Sequence, residues 1–297
     1  MRTRAQARNP GPSWGYRFIT ACDRALPEAL FKPLRQLGSW AAVWLMPEQR
    51  RHSRQYLQRV LGRRPTSRDV FRHFHAFTEF IVLRLRVAHG AAQTARFADG
   101  AEDFAAFMAE GRPTLLGSMH LGHSDLLGFL FAGKTKHRIF MLRERRDNSE
   151  DVERLLERYR DCVSIIWAND GGNLPFVLKE AIDTGGSVAM KCDRLEFSAR
   201  VESFDFLGAR RPFPFTLYHL ALIFDLPVLL SFGVPGPAGE SVVHSSPRWQ
   251  RDPNLTKAEN LERAKAHFQA FLHRVESVLH EQPYQWFNFI PLPSGGR

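Results

Sequence analysis

From about residue 100 onward the chain alternates short apolar runs with helix-patterned stretches, and this alternation limits the fold more than any other feature. The runs lie at 114–118, 138–142, 163–167, 187–192, 201–206 and 227–232, and the stretches between them at 124–131, 149–160, 174–183 and 213–224. Such a pattern specifies βαβ units: an α/β fold with a mostly parallel central sheet flanked by helices. A last helix is expected over 257–280, with Thr256 and Glu259 in capping-box spacing, followed by the aromatic cluster Tyr284, Trp286, Phe287 and Phe289. The first quarter reads as helices over 27–46, 47–61 and 67–89, the last two stopped by Gly62 and Gly90. In the third of these, Phe71, Phe74, Phe77, Thr78, Ile81, Val82 and Leu85 share a face, so His73 and His75 read as packing or surface residues. Connections are short, so residues 1–99 are expected to form a helical segment of the same unit as an α/β domain over 100–297.

At 297 residues and 44% hydrophobic content the chain can bury a full core. Cys22, Cys162 and Cys192 are too few and too scattered for a disulfide framework or a four-ligand zinc site. Neither a signal-peptide core nor a run of roughly 18 uncharged apolar residues is present, so membrane contact is expected to be peripheral. A net charge of +10 favours anionic partners: nucleic acid, an anionic membrane face, or an acidic protein or ligand. The basic doublets Arg50-Arg51, Arg63-Arg64, Arg145-Arg146 and Arg210-Arg211 are spread along the chain with no nucleic-acid signature beside them, which argues against nucleic acid.

One segment places a strand end, a glycine-containing turn and a helix start within thirteen residues: Leu115-Leu116-Gly117-Ser118-Met119-His120-Leu121-Gly122-His123-Ser124-Asp125-Leu126-Leu127. Parallel sheets build their sites at such strand ends. Residues five apart lie about 140° apart on a continuous helix, so His120 and Asp125 meet only if the chain turns between them, which Gly122 permits. An imidazole supported by a carboxylate takes a proton from a hydroxyl near neutral pH. The spacing alone is weak evidence, because with 12 histidines roughly one His-x4-acid match arises by chance. A core histidine with a helix-capping aspartate is the bland alternative. His120, His123 and Asp125 as metal ligands lack a fourth partner, and Ser118 lacks the glycine pattern of a hydrolase elbow. Arg143, Arg145 and Arg146 follow a strand end, where they either hold a phosphate or form a surface network with Glu144 and Asp147.

With these residues the chain resembles the lysophospholipid acyltransferase superfamily, whose signature is this His-x4-Asp/Glu pair, and within it the bacterial lipid A late acyltransferase branch. The likeness runs from about residue 113 to 235. It includes Cys192-Asp193-Arg194, Phe206-Leu207-Gly208, Leu226-Pro227-Val228 and the closing Pro283-Tyr284-Gln285-Trp286-Phe287. The resemblance implies a glycerolipid acyltransferase-like fold at the cytoplasmic face of a bacterial inner membrane. It implies transfer of a fatty acyl chain from acyl carrier protein or acyl-coenzyme A to a hydroxyl of a lipid or glycolipid. His120 would be the base, Asp125 its partner and Asp193 a second acidic residue, with Arg143 and Arg194 as substrate-binding cations and no metal or redox cofactor. Backbone N–H groups near Gly122 and His123 would hold the oxyanion. Asn169-Asp170-Gly171-Gly172-Asn173 departs from the branch, which carries an arginine there. A lipid ester hydrolase using the same pair on water, and a non-catalytic basic membrane-binding protein, are the rival classes.

The expected 27–46 helix carries one more feature. Leu26, Leu30, Phe31, Leu34, Leu37, Ala41, Trp44 and Leu45 form a broad stripe, opposite Lys32, Arg35, Gln36 and Ser39. The stripe fits either the α/β body or the headgroup layer of an anionic membrane.

Overall fold

Five of the six apolar runs become adjacent strands of one sheet. In the computed structural model, which describes residues 13–292 apart from 132–133, 135–137, 146–152, 154–155, 171–172, 196–197 and 199, four helices come first: α1 (Ser13–Ala25), α2 (Glu28–Leu45), α3 (Pro47–Leu61) and α4 (Ser67–Ala88). There follow β1 (Ala95–Phe97), α5 (Glu102–Glu110), β2 (Leu115–Ser118), a 3-10 turn at Ser124–Leu126 that leads into α6 (Leu127–Phe131), β3 (Ile139–Arg143) and β4 (Val163–Trp167). The chain continues through α7 (Leu174–Asp183), β5 (Ser187–Lys191), β6 (Val201–Phe206), β7 (Ala209–Pro214), α8 (Thr216–Phe224), β8 (Val228–Pro235), β9 (Ser241–Ser245) and α9 (Lys257–Glu281).

Seven strands form one sheet in the order β1-β9-β8-β2-β5-β3-β4. All neighbours are parallel except β8 and β9. Helices cover the sheet, so its central strands read as unbroken apolar runs; in β8 every residue from Val228 to Val234 is buried. The expected strand at 201–206 forms but does not join this sheet. It pairs antiparallel with β7 through a two-residue turn, Leu207-Gly208, in which both residues have positive φ (48° and 69°). Because 209–214 is spent on that hairpin, the helix expected from 213 starts at Thr216. Half of the helix expected at 149–160 lies outside the described residues, and its end forms a 3-10 turn over Glu157–Tyr159.

Helix α9 buries Ala264, Phe268, Phe271, Leu272, Val275, Val278 and Leu279, a stripe with helical spacing, and its Thr256–Glu259 capping box is formed in both directions. After it, residues 283–290 run as a strap across the molecule. Phe287 and Phe289 pack into the aromatic face of α4, and His73 binds the strap through the Trp286 carbonyl at 2.9 Å while its Nδ1 meets Ser53 Oγ. His73 is thus a buried packing residue.

Burial lowers the pKa of His73, and separately that of His123, to about 4. Between that value and the ordinary value near 6.5 the unfolded chain binds more protons, so this stability is complete above about pH 6.5 and is lost as pH falls toward 4. On the order of 2 kcal/mol per histidine is expected to vanish by about pH 5. Thermal melts across this range check it: His73→Asn should flatten the pH dependence, and an unchanged slope would contradict the assignment.

Candidate active site

Strand register builds the site. In the β2–β5 ladder Ser118 lies opposite Lys191, so His120 and Asp193 each stand two residues beyond the paired ends, at the carboxyl edge of the sheet. Met141 of β3 pairs with Ala189, which brings Arg143 to the level of Lys191. Chain direction returns at Gly122, whose φ is +44° and whose position leaves no room for a Cβ, which would stand 2.6 Å from the Gly233 carbonyl oxygen. Asp125 then falls in the short 3-10 turn.

His120 Nδ1 lies 2.8 Å from Asp193 Oδ1, and the His120 backbone N–H donates to Asp193 Oδ2 at 2.9 Å. Burial opposes ionisation of Asp193, but His120 and Arg194 outweigh it and hold its carboxyl down at about 2. An ionised carboxylate only accepts, so Nδ1 carries the proton and Nε2 presents its lone pair. Burial also pulls the His120 pKa below its ordinary value, against the attraction of Asp193 and together with the repulsion of Arg194 and Lys191. The ring is therefore an unprotonated base at neutral pH.

Asp193, and not Asp125 as the sequence led one to expect, is the carboxylate that holds the His120 ring. Asp125 is instead held by Lys191 Nζ at 2.6 Å and Arg84 at 3.6 Å. Burial works against its charge, yet Lys191, His120, Arg143 and Arg84 together keep it ionised far below the usual carboxylate range. Nor do the expected backbone groups serve an oxyanion: the Gly122 N–H donates to the Gln285 carbonyl and the His123 N–H to the Gly233 carbonyl, each at 2.7 Å, so neither is open to a substrate. His123 is buried, with Nδ1 2.9 Å from Ser241 Oγ. Among the described residues no group of three or more His, Cys, Asp or Glu side chains is placed to hold a metal.

His120, Asp125, Arg84, Arg143, Glu144, Lys191 and Arg194 line the polar part of a cavity of about 830 Å³, whose remaining wall is mainly apolar, with Phe107, Leu116, Phe131, Leu178 and Leu217 among its residues. Four cations thus face two acids there. The Arg84 Nε is buried with no hydrogen-bond partner among the described residues, and burial depresses the Arg143 pKa while Asp125 opposes it. Arg145, by contrast, pairs with Asp170 and stacks on Trp167 at the surface, and Arg146 lies outside the described residues. Arg194 donates to Asn288 Oδ1 at 2.8 Å, and Asn288 Nδ2 donates to the Asp193 carbonyl at 3.0 Å, so the C-terminal strap braces the strand end that carries Asp193.

Sequence reasoning missed Arg84 and Lys191. Each had a signal: Arg84 interrupts the apolar stripe of α4 beside Ile81 and Leu85, and Lys191 ends an otherwise apolar strand next to Asp193. The fold and site together define an α/β protein with a mostly parallel sheet and a histidine–aspartate pair at its carboxyl edge. No protein-family model and no curated protein matches the chain.

Proposed function

We propose that this chain is an acyltransferase that moves a fatty acyl chain from an acyl thioester, carried by acyl carrier protein or coenzyme A, to a hydroxyl of a lipid or glycolipid. The observation that supports it best is an imidazole, held at Nδ1 by Asp193, that lines, beside an excess of cations, a mainly apolar cavity of about 830 Å³. That volume falls in the range of ligand pockets, and the apolar wall suits an alkyl chain. The resemblance to the lipid A late acyltransferase branch supports the same reaction.

His120 Nε2 removes the proton of the acceptor hydroxyl as its oxygen attacks the thioester carbonyl. The C–O bond forms, the C–S bond breaks, and the proton passes from Nε2 to the departing sulfur. Asp193 fixes the tautomer and stabilises the imidazolium. Arg84 and Arg143 take the place of the engaged backbone donors, facing the oxyanion or the phosphates of the carrier arm. Asp125 offsets these cations. Its loss removes an attraction on the imidazolium that forms on His120 and leaves Lys191 and Arg194 to repel it. Asp125→Asn is accordingly expected to slow transfer on the order of 10²-fold.

Because burial lowers the His120 pKa, the rate is expected to rise with pH to a plateau through an apparent value below 6.5. The deciding assay follows thioester consumption with and without lipid acceptors: a transferase requires the acceptor, whereas a hydrolase releases free fatty acid at the same rate without it.

A further inference from the structure

Helix α2 is amphipathic in the inverted sense. The face it packs against α4 consists of Phe31, Arg35, Ser39 and Val43. Arg35 is buried in ion pairs with Glu79 at 2.6 Å and Glu28 at 2.5 Å, and Ser39 Oγ bonds to Thr78 Oγ1 at 3.0 Å. Polar partners thus hold the middle of the inner face, and Phe31, from the expected stripe, and Val43 flank them. The apolar stripe turns outward: Leu37 is 67% exposed, Trp44 72% and Leu45 80%, with Leu30 and Leu34 beside them. On α1, Trp14 and Phe18 are exposed as well, at 66% and 55%. Isolated surface leucines are ordinary, but a continuous stripe whose opposite face is fixed by the ion pairs of a buried arginine marks an interaction site.

We infer that this α1–α2 face lies in the headgroup layer of an anionic bilayer. Three observations select that occupant. Among the described residues no helix is long and apolar enough to cross a membrane, so contact through these helices is made along a face. Arg17, Arg24, Lys32, Arg51 and Arg54 are exposed on the same group of helices, in a chain of net charge +10, which attracts anionic lipid and repels a second copy of the chain. Finally, the stripe runs into the site: Met46 follows Leu45 directly, and Met46, Gln49 and Tyr16 line the cavity. A lipid substrate then passes from the bilayer into the cavity along a continuous apolar edge. This deepens the transferase reading by naming where its lipid substrate is met.

Co-sedimentation with vesicles of equimolar phosphatidylglycerol and phosphatidylcholine tests it without any substrate, so the surface and the transferase reading fail separately. Wild-type protein is expected to bind, and less so as salt rises. Replacing Leu30, Leu34 and Leu37 by serine should cut binding at least about tenfold with an unchanged melting temperature. Arg17→Glu with Lys32→Glu should weaken it further. Arg35 is left out of the charge reversal because it is buried. The inference is overturned if wild type ignores these vesicles, if the triple variant binds as well as wild type, or if it melts early, which would place the stripe inside the protein. A lipid-free dimer that the triple variant converts to monomer would assign the face to a second copy instead.

Discussion

Replacing His120 by alanine is expected to lower acyl transfer by at least about 10²-fold, roughly 2.7 kcal/mol of activation free energy, in a protein that remains folded. The base is lost outright: Asp125 is ionised but engaged by Lys191 and Arg84, and His123 is turned into the core toward Ser241. Alanine also removes a partner from Asp193, whose side chain is fully buried, and a lost partner of that kind costs about 1–3 kcal/mol of stability. His120→Asn separates the two effects, since its amide can still donate to Asp193 but cannot take a proton. Steady-state rates and melts of both variants check the expectation. Near-normal turnover in a well-folded His120→Asn protein would remove the mechanism, while His123→Ala should cost stability rather than rate.

The second large effect is expected at Asp193. In Asp193→Asn the side-chain oxygen can still accept the His120 backbone N–H, so the strand end keeps its shape. The new amide group then faces Nδ1 as a donor, which favours the tautomer with the proton on Nε2 and leaves no base toward the cavity. Loss on the order of 10²- to 10⁴-fold is expected. A merely structural aspartate would not move the pH profile, but this one should. Asp193 raises the His120 pKa, so removing its charge shifts the residual activity to a lower apparent pKa. An unchanged rate would return His120 to the role of a core histidine.

Local signals made much of this architecture legible. Gly62 ends α3, the Thr256–Glu259 box starts α9, and the 163–167 and 174–183 patterns became β4 and α7 with the bounds expected. Weak signals failed. Strand β1 is three exposed residues at a sheet edge and β9 is Ser-Val-Val-His-Ser; α1 escapes notice, although Trp14, Phe18, Cys22 and Ala25 recur at helical spacing, because so few apolar residues mark it. The β6–β7 hairpin was hidden because its turn places a leucine, not asparagine or aspartate, at positive φ. For the site, the strand-turn-helix setting pointed to His120 and Asp125. The His120–Asp193 pairing depends on the register of strands 73 residues apart, which no local pattern encodes. The α2 stripe was visible, but its direction was not, because Arg35 faces inward only where Glu79 of α4 meets it.

Mass spectrometry of lipids from cells that carry the gene, lack it, or carry His120→Asn bears most directly on the proposed reaction. Transfer of an acyl chain to a lipid hydroxyl is expected to leave, in the second and third strains alike, a lipid lighter by one acyl chain than its counterpart in the first. Identical lipids in all three strains, or a mass difference that the His120→Asn protein restores, would contradict it.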